Sequence, residues 1–302
     1  MPHLRDITHL VIDMDGVLYR GNDPLPKLPE FFEFLRERGI GYRLATNNSG
    51  LTPQQYAAKL RKMGAEVAPG EIITSGTATA RWLAGRLPPG ARVHVFGEAS
   101  LRTAVTEAGF ELADEDVSAV VASIDWGVTF DKIKRACLLI RRGALFVATN
   151  LDPTRPTEEG LVPGTGALIA AIATGAEVQP IAIGKPEPTM FEQAMAEMGA
   201  TSATTATLGD RIDTDMEGGR RAGLTTIMVL SGSTLRPEAE AYGCEHIFED
   251  IADLLSTWQT VRTAPPAGPT PHPLSRSDPM EEPASATRSD RWKNTALISW
   301  RR

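Results

Sequence analysis

Cysteine occurs only twice in the 302 residues, aromatic side chains make up 6%, and basic residues (31) are fewer than acidic ones (38). Two cysteines, Cys137 and Cys244, cannot form a disulfide framework, and no CxxC pair or Cys/His cluster suggests structural zinc. A reducing compartment, the cytoplasm, is therefore expected. The formal charge of −7 argues against a basic surface for a nucleic-acid polymer. Long apolar runs are missing as well. The least charged stretch, residues 160–176, is broken by Pro163 and several Gly and Thr residues, which leaves it too short and too polar to span a bilayer. The opening MPHLRDITHLVID has no apolar run ahead of a small-residue cleavage site, so no secretory signal is expected.

What is present is a 42% apolar content, enough for one large or two modest cores at roughly 100–200 residues per domain, and too much for a wholly disordered chain. Proline is uneven, with 15 of 22 in residues 1–262 and seven in the last 40. The segment TAPPAGPTPHPLSRSDPMEEPASATRSD has no sustained apolar period to offset its ordering entropy, so 263–302 is expected to be a disordered tail. Without it, residues 1–262 hold 25 basic and 34 acidic side chains, a charge of −9.

Short apolar runs at Thr8–Asp13, Gly41–Thr46, Ala203–Gly209 and Thr225–Leu230 read as strands. Helical periodicity follows at Phe31–Arg38, Pro53–Lys62, Thr189–Met198 and Met216–Ala222. A second alternating block lies inside the first, with strands at Arg92–Gly97, Val117–Ser123 and Leu145–Thr149 and helices at Ser100–Ala108, Asp131–Arg142 and Thr165–Thr174. The pattern predicts an α/β protein with a doubly wound, Rossmann-like parallel sheet and an inserted α/β cap. The core is expected at 1–82 and 182–262, and the cap at 83–181.

Ligands of an open parallel sheet gather at the carboxyl ends of its strands, and four such places share a chemical theme. In HLVIDMDGVLYRG, Asp13 and Asp15 end a strand and Gly16 lets the chain turn at once. Alone, such a DxD is equally a solvated strand end or the metal grip of a glycosyltransferase. In YRLATNNSG, Thr46, Asn47, Asn48 and Ser49 precede a helix and offer hydroxyls, amides and backbone N–H groups to an anion, although a plain turn and N-cap has the same composition. In IAIGKPEP, Lys185 follows a strand and is flanked by Pro186 and Pro188, which limit the backbone around a fixed cation. In ATLGDRIDTDMEGGRRAG, Asp210 follows a strand, and Asp213 or Asp215 is expected to cap the next helix. Together the four supply carboxylates for a hard divalent cation such as Mg²⁺, an anion cradle and one lysine. This combination suits phosphomonoester hydrolysis, a reaction so slow unaided that nucleophile, acid, metal and cation must act together.

The order DMDGV, TNNS, GKP and GDRIDTD resembles the four motifs of the haloacid dehalogenase superfamily, in its NagD-like or p-nitrophenylphosphatase-like branch, subfamily IIA. LYRG after the first motif and TNNSG as the second are characteristic of that branch, and RRGALFVATNLD and GLVPGTGAL resemble its cap. The resemblance covers about residues 5–260. It implies that Asp13 is the nucleophile forming an aspartyl-phosphate and that Asp15 is the general acid and then base. It also implies Mg²⁺ held by the Asp13 carboxylate, the Asp15 carbonyl and Asp210, with Thr46, Asn47 and Asn48 at the phosphoryl oxygens. Lys185 would neutralise phosphoryl and nucleophile charge, and Asp215 would orient Lys185 or a metal-bound water. An acid at position 15 suits an alkoxide leaving group, whereas a halide needs no proton, so phosphatase is favoured over dehalogenase.

The expected substrate is a small phosphomonoester: a sugar phosphate, glycerol phosphate, phosphoglycolate or nucleoside monophosphate. Residues 124–127 and 149–152 of the cap, Asn150 among them, are candidates for the leaving-group pocket. Trp126 there suits either stacking on a planar group or cap packing. The branch makes a homodimer through the cap plausible, with no nucleic-acid polymer or membrane as partner. The alternative is a catalytically silent phosphometabolite sensor, which would need neither an unblocked Asp13 nor Asp15. Cys137, His94, Met190, Met195 and Met198 are expected in packing roles.

Overall fold

The computed structural model describes residues 3–157 and 160–263, so the tail expected from 263 onward lies, after Thr263, outside the described residues. In the strand His9–Ile12, Leu10, Val11 and Ile12 are apolar at successive positions because both faces are covered, as expected of a strand in the middle of a parallel sheet. It pairs in parallel with Gly41–Thr46 on one side (His9 opposite Gly41) and with Thr205–Gly209 on the other (His9 opposite Thr205). Ile72–Thr74 extends the first side, and Thr225–Val229 and His246–Phe248 extend the second, giving a six-stranded parallel sheet. Chain order reverses at His9–Ile12, which places the topological switch point beside Asp13.

Phe31, Phe32 and Leu35 from helix Leu28–Glu37, Leu60 from helix Pro53–Lys62, and Trp258 from helix Ile251–Thr263 cover one face of this sheet. The Trp258 indole N–H donates to the Leu4 carbonyl at 2.9 Å, which ties the last helix to the first turn of the chain. Met190, Phe191 and Ala194 of helix Thr189–Met198 cover the other face with Ala78 and Leu83 of helix Ser75–Ala84, and Met195 and Met198 pack at their edge.

A second parallel sheet runs in the order Ile181–Ala182, Leu145–Ala148, Ala119–Ala122, Arg92–Phe96, Glu111–Leu112. Helices Phe130–Arg141 and Thr165–Ala176 bury Cys137, Ile140, Ile169 and Ile172 against it. Ile181–Ala182 pairs with Val147–Ala148, so the boundary expected after residue 181 falls inside a strand of the second sheet. Two antiparallel hairpins complete the frame: Tyr19–Arg20 with Asp23–Pro24, just past Asp15, and Thr154–Thr157 with Gly160–Pro163, in the segment of the second sheet. Among the described residues no helix is long and apolar enough to cross a membrane.

Candidate active site

The four expected segments converge on one cavity of about 1210 Å³, lined among others by Asp13, Asp15, Thr46, Asn47, Lys185 and Asp210. Asp13 leaves the central strand with its N–H still bonded to the Leu208 carbonyl (2.8 Å), so the sheet itself fixes its backbone. Gly16 then turns the chain at φ +86°, and a Cβ there would overlap the Asp210 carboxylate. Glycine is thus required both by the backbone and by the close approach of Asp210. The turn is held from across the site by Ser231, whose hydroxyl donates to the Gly16 carbonyl at 2.7 Å. Asp15 is exposed to the cavity.

Lys185 is the centre of the charge arrangement. Its side chain is 3% exposed, and the ammonium group donates to Asp13 Oδ1 (2.5 Å), Asp215 Oδ1 (2.6 Å) and the Ala45 carbonyl (2.9 Å), using all three protons. Its backbone is clamped as well: Asn47 accepts from the Lys185 N–H and donates to the Lys185 carbonyl, both at 2.8 Å. Burial works against the ammonium charge, but the adjacent Asp13 and Asp215 carboxylates outweigh it and hold the lysine pKa above its ordinary value.

One carboxylate oxygen from each of Asp13, Asp210 and Asp215 lies within 4.8 Å of the others. Burial, only partly opposed by Lys185, raises the Asp13 carboxyl well above the usual range. Burial, followed by the charge of Asp215, pushes Asp210 up to about 6, although Asp210 accepts from the Ser233 N–H (2.9 Å) and hydroxyl (3.1 Å). Three converging acids against one ammonium leave negative charge uncompensated in a buried place. This oxygen-only donor set fits a hard divalent cation.

The fourth segment departs from expectation. Neither Asp213 nor Asp215 caps a helix, because Ile212–Met216 forms a π turn behind Arg211 and regular helix begins only at Glu217. The wider turn points Asp215 back to Lys185 and to the Arg211 N–H (3.2 Å), while Asp213 forms a two-pronged ion pair with Arg211 at 2.7 and 3.0 Å.

In the second segment, Thr46 accepts from the Asn48 N–H at 3.1 Å and Asn48 from the Gly50 N–H at 2.8 Å, which folds the loop tightly around the strand end. The Asn47 side chain is committed inside the protein, to Lys185 and to Asp152 (3.2 Å). The Asn150 amide likewise donates to the Asn47 carbonyl at 2.8 Å. Both asparagines line the cavity, but these bonds give their side chains the work of joining the two sheets. A hydroxyl chain does the same nearby, with Ser49 to Ser123 at 2.6 Å and Thr149 to Ser123 at 2.7 Å. Of the other cap candidates, Ile124 lines the cavity, Asp125 is buried and paired with Lys132 (2.8 Å), and Trp126 is 58% exposed.

Sequence reasoning missed Ser231 and Ser233, which follow strand Thr225–Val229 and would have been found by applying the strand-end rule to that strand too. It also assigned no role to Arg20, Arg155 and Arg211 in the cavity wall; Arg20 and Arg211 lie within LYRG and GDRIDTD, whereas Arg155 carries no motif, and only the fold brings it to the site.

Residues 10–111 match the family model of haloacid dehalogenase-like hydrolases, and residues 182–254 match a second model of the same kind of hydrolase. The chain is 38% identical over 251 residues to an acid sugar phosphatase of Staphylococcus aureus, covering 81% of this chain and 96% of that one. It is 37% identical over 254 residues to a 5'-nucleotidase of Bacillus subtilis, covering 82% and 96%. Among solved structures, a 4-nitrophenylphosphatase from Thermotoga maritima superimposes with a TM-score of 0.80 at 32% identity, covering 84% of this chain and 99% of that one. A glycerol phosphate phosphatase from Mycobacterium tuberculosis in complex with magnesium gives 0.77 at 33%, covering 83% and 77%. NagD from Escherichia coli gives 0.76 at 31%, covering 82% and 98%.

Proposed function

The chain belongs to the haloacid dehalogenase-like hydrolases, in their NagD-like branch, and from that membership we propose that it is a Mg²⁺-dependent phosphatase of small phosphomonoesters acting through an aspartyl-phosphate on Asp13. The observation that carries this reading is the convergence of Asp13, Asp210 and Asp215 on one buried point with Lys185 donating to two of them. A site built only to bind a phosphate would gain nothing from presenting carboxylates to an anion.

In the first step a carboxylate oxygen of Asp13 attacks phosphorus, the bond from phosphorus to the ester oxygen breaks, and the alkoxide takes a proton from Asp15. In the second, Asp15 accepts a proton from water as the water oxygen attacks phosphorus, which releases phosphate and restores Asp13. Lys185 keeps Asp13 oriented and offsets part of its charge, so the nucleophile can approach an anionic phosphoryl group. Asp215 and Asn47 are positioning residues that fix the head and the backbone of that lysine. Thr46 and the backbone around Asn47 and Asn48 face the transferring oxygens. The carboxylates of Asp13 and Asp210 with the Asp15 carbonyl would hold Mg²⁺, which supplies charge neutralisation for the phosphoryl oxygens.

The names of the relatives, an acid sugar phosphatase, a 5'-nucleotidase and a glycerol phosphate phosphatase, fall within the substrate class expected here. The test is phosphate release from p-nitrophenyl phosphate and a panel of phosphometabolites with Mg²⁺, ranked by kcat/KM, with Asp13→Asn as the blank. Tight binding of these esters without turnover would instead support a phosphometabolite sensor.

A further inference from the structure

The cavity wall carries three arginines, and two of them are already engaged. Arg20 donates through Nε to the Ser231 carbonyl at 2.5 Å, and Arg211 is paired with Asp213. Arg155, on the hairpin Thr154–Thr157, differs from both: among the described residues it has neither a carboxylate nor a carbonyl partner. Its contact is with Trp126, whose ring centroid lies 5.0 Å from the guanidinium carbon. Trp126 comes from a different loop, anchored by its own N–H to Glu98 (2.8 Å) and, through the adjoining Asp125, to Lys132. Stacking uses the face of a guanidinium and leaves the N–H donors at its edge available for a planar acceptor.

The guanidinium belongs to a residue that lines the same cavity as Asp13, Asp15 and Lys185. The Tyr56 hydroxyl is raised in pKa by burial and further by Asp13 and Asp15, and Arg155 opposes that rise. A half-buried cation held by an aromatic face at a phosphoryl-transfer cavity, with its donors uncommitted, is arranged for a second anion.

We propose that Arg155, braced by Trp126, is a specificity-determining residue that binds a carboxylate on the leaving alcohol, so that the favoured substrates are phosphomonoesters of hydroxy acids. This rests on the phosphatase reading above. A carboxylate matches the guanidinium edge as a coplanar, two-pronged acceptor, a geometry that a lone hydroxyl cannot use. The large cavity leaves room for such a group beyond the phosphoryl site.

The matched probes are 3-phosphoglycerate and glycerol 3-phosphate, which differ by a carboxylate in place of a hydroxymethyl group. Wild-type protein should favour the carboxylate ester in kcat/KM by about 10- to 100-fold. Arg155→Ala should bring that ratio close to one, mainly through KM. Arg155→Lys, which keeps the charge but not the fork, should fall between. A wild-type ratio of one or less, or a ratio unchanged by Arg155→Ala, overturns the proposal. Calorimetric titration of the Asp13→Asn protein with the two esters gives the same comparison without turnover. If wild type releases no phosphate even from p-nitrophenyl phosphate, the phosphatase reading fails, and the titration alone decides whether Arg155 selects a carboxylate.

Discussion

The floor and the roof of the cavity are built on opposite plans. The floor stands on strand ends of the six-stranded sheet together with Lys185, which follows Ile181–Ala182 of the second sheet and is buried with every ammonium proton and both backbone polar groups committed. The roof includes a two-stranded hairpin whose Arg155 rests on a half-open tryptophan. Groups that must hold charge during a reaction need fixed geometry and low dielectric. Groups that choose between leaving alcohols need uncommitted donors. On the proposed reading, chemistry lies in the floor and discrimination in the roof, and substitutions in the two regions should separate accordingly.

The largest effect is expected from Asp13→Asn, which removes the nucleophile at constant shape. Phosphate release should fall by about 10⁴-fold or more, with circular dichroism unchanged. Next is Lys185→Met. It leaves Asp13 and Asp215 buried without their cation, so stability in urea should drop by about 3–5 kcal/mol as turnover is lost. A variant that stayed fully stable would contradict the view of the floor as a committed charge network. Asp215→Asn keeps the volume, weakens the hold on Lys185 and removes one charge from the acid cluster, so kcat should fall by about 10- to 100-fold, with KM less affected.

The pH dependence follows from Asp210. Its carboxyl binds a proton more tightly in the folded protein (about 6) than at the ordinary value of 3.8. The stability it contributes without metal is therefore full below about pH 4 and is lost as pH rises through 6. Mg²⁺ needs the deprotonated form, so the rise in Tm on adding Mg²⁺ should be larger at pH 7.5 than at pH 5. An equal or larger rise at pH 5 would count against Asp210 as a ligand. Smallest in stability should be Arg155→Ala in the roof, at about 1 kcal/mol or less, since the lost contact is a partly exposed stack.

The floor was largely legible in the sequence, and the roof was not. Asp13, Thr46, Lys185 and Asp210 each end or closely follow an apolar run, a local signal that the strand-end rule converts into a shared location. Arg155 has no such signal: it is one charged residue in a short hairpin, and its meaning arises from where the hairpin lies. Ile72–Thr74 and His246–Phe248 were missed because three residues are too few to show a period. One of Asp213 and Asp215 was expected to cap the next helix because an acid ahead of a helix usually does. The π turn at Ile212–Met216, which a sequence pattern does not announce, leaves neither as a cap and brings Asp215 to Lys185, the partner that the family resemblance implied for it. Asn47 and Asn150 look like ligand donors in sequence, and only the distances reveal their commitment to Lys185 and to the contact between the sheets.

The central claim is covalent participation of Asp13. Asp15→Asn protein mixed with p-nitrophenyl phosphate and Mg²⁺, quenched in acid and digested, should carry one added phosphoryl group on the peptide spanning residues 6–20, because loss of the base slows hydrolysis of the intermediate. The addition should be absent when Asp13→Asn is combined with it. Phosphate released with that peptide unmodified, or the phosphoryl group found on another residue, would contradict the account.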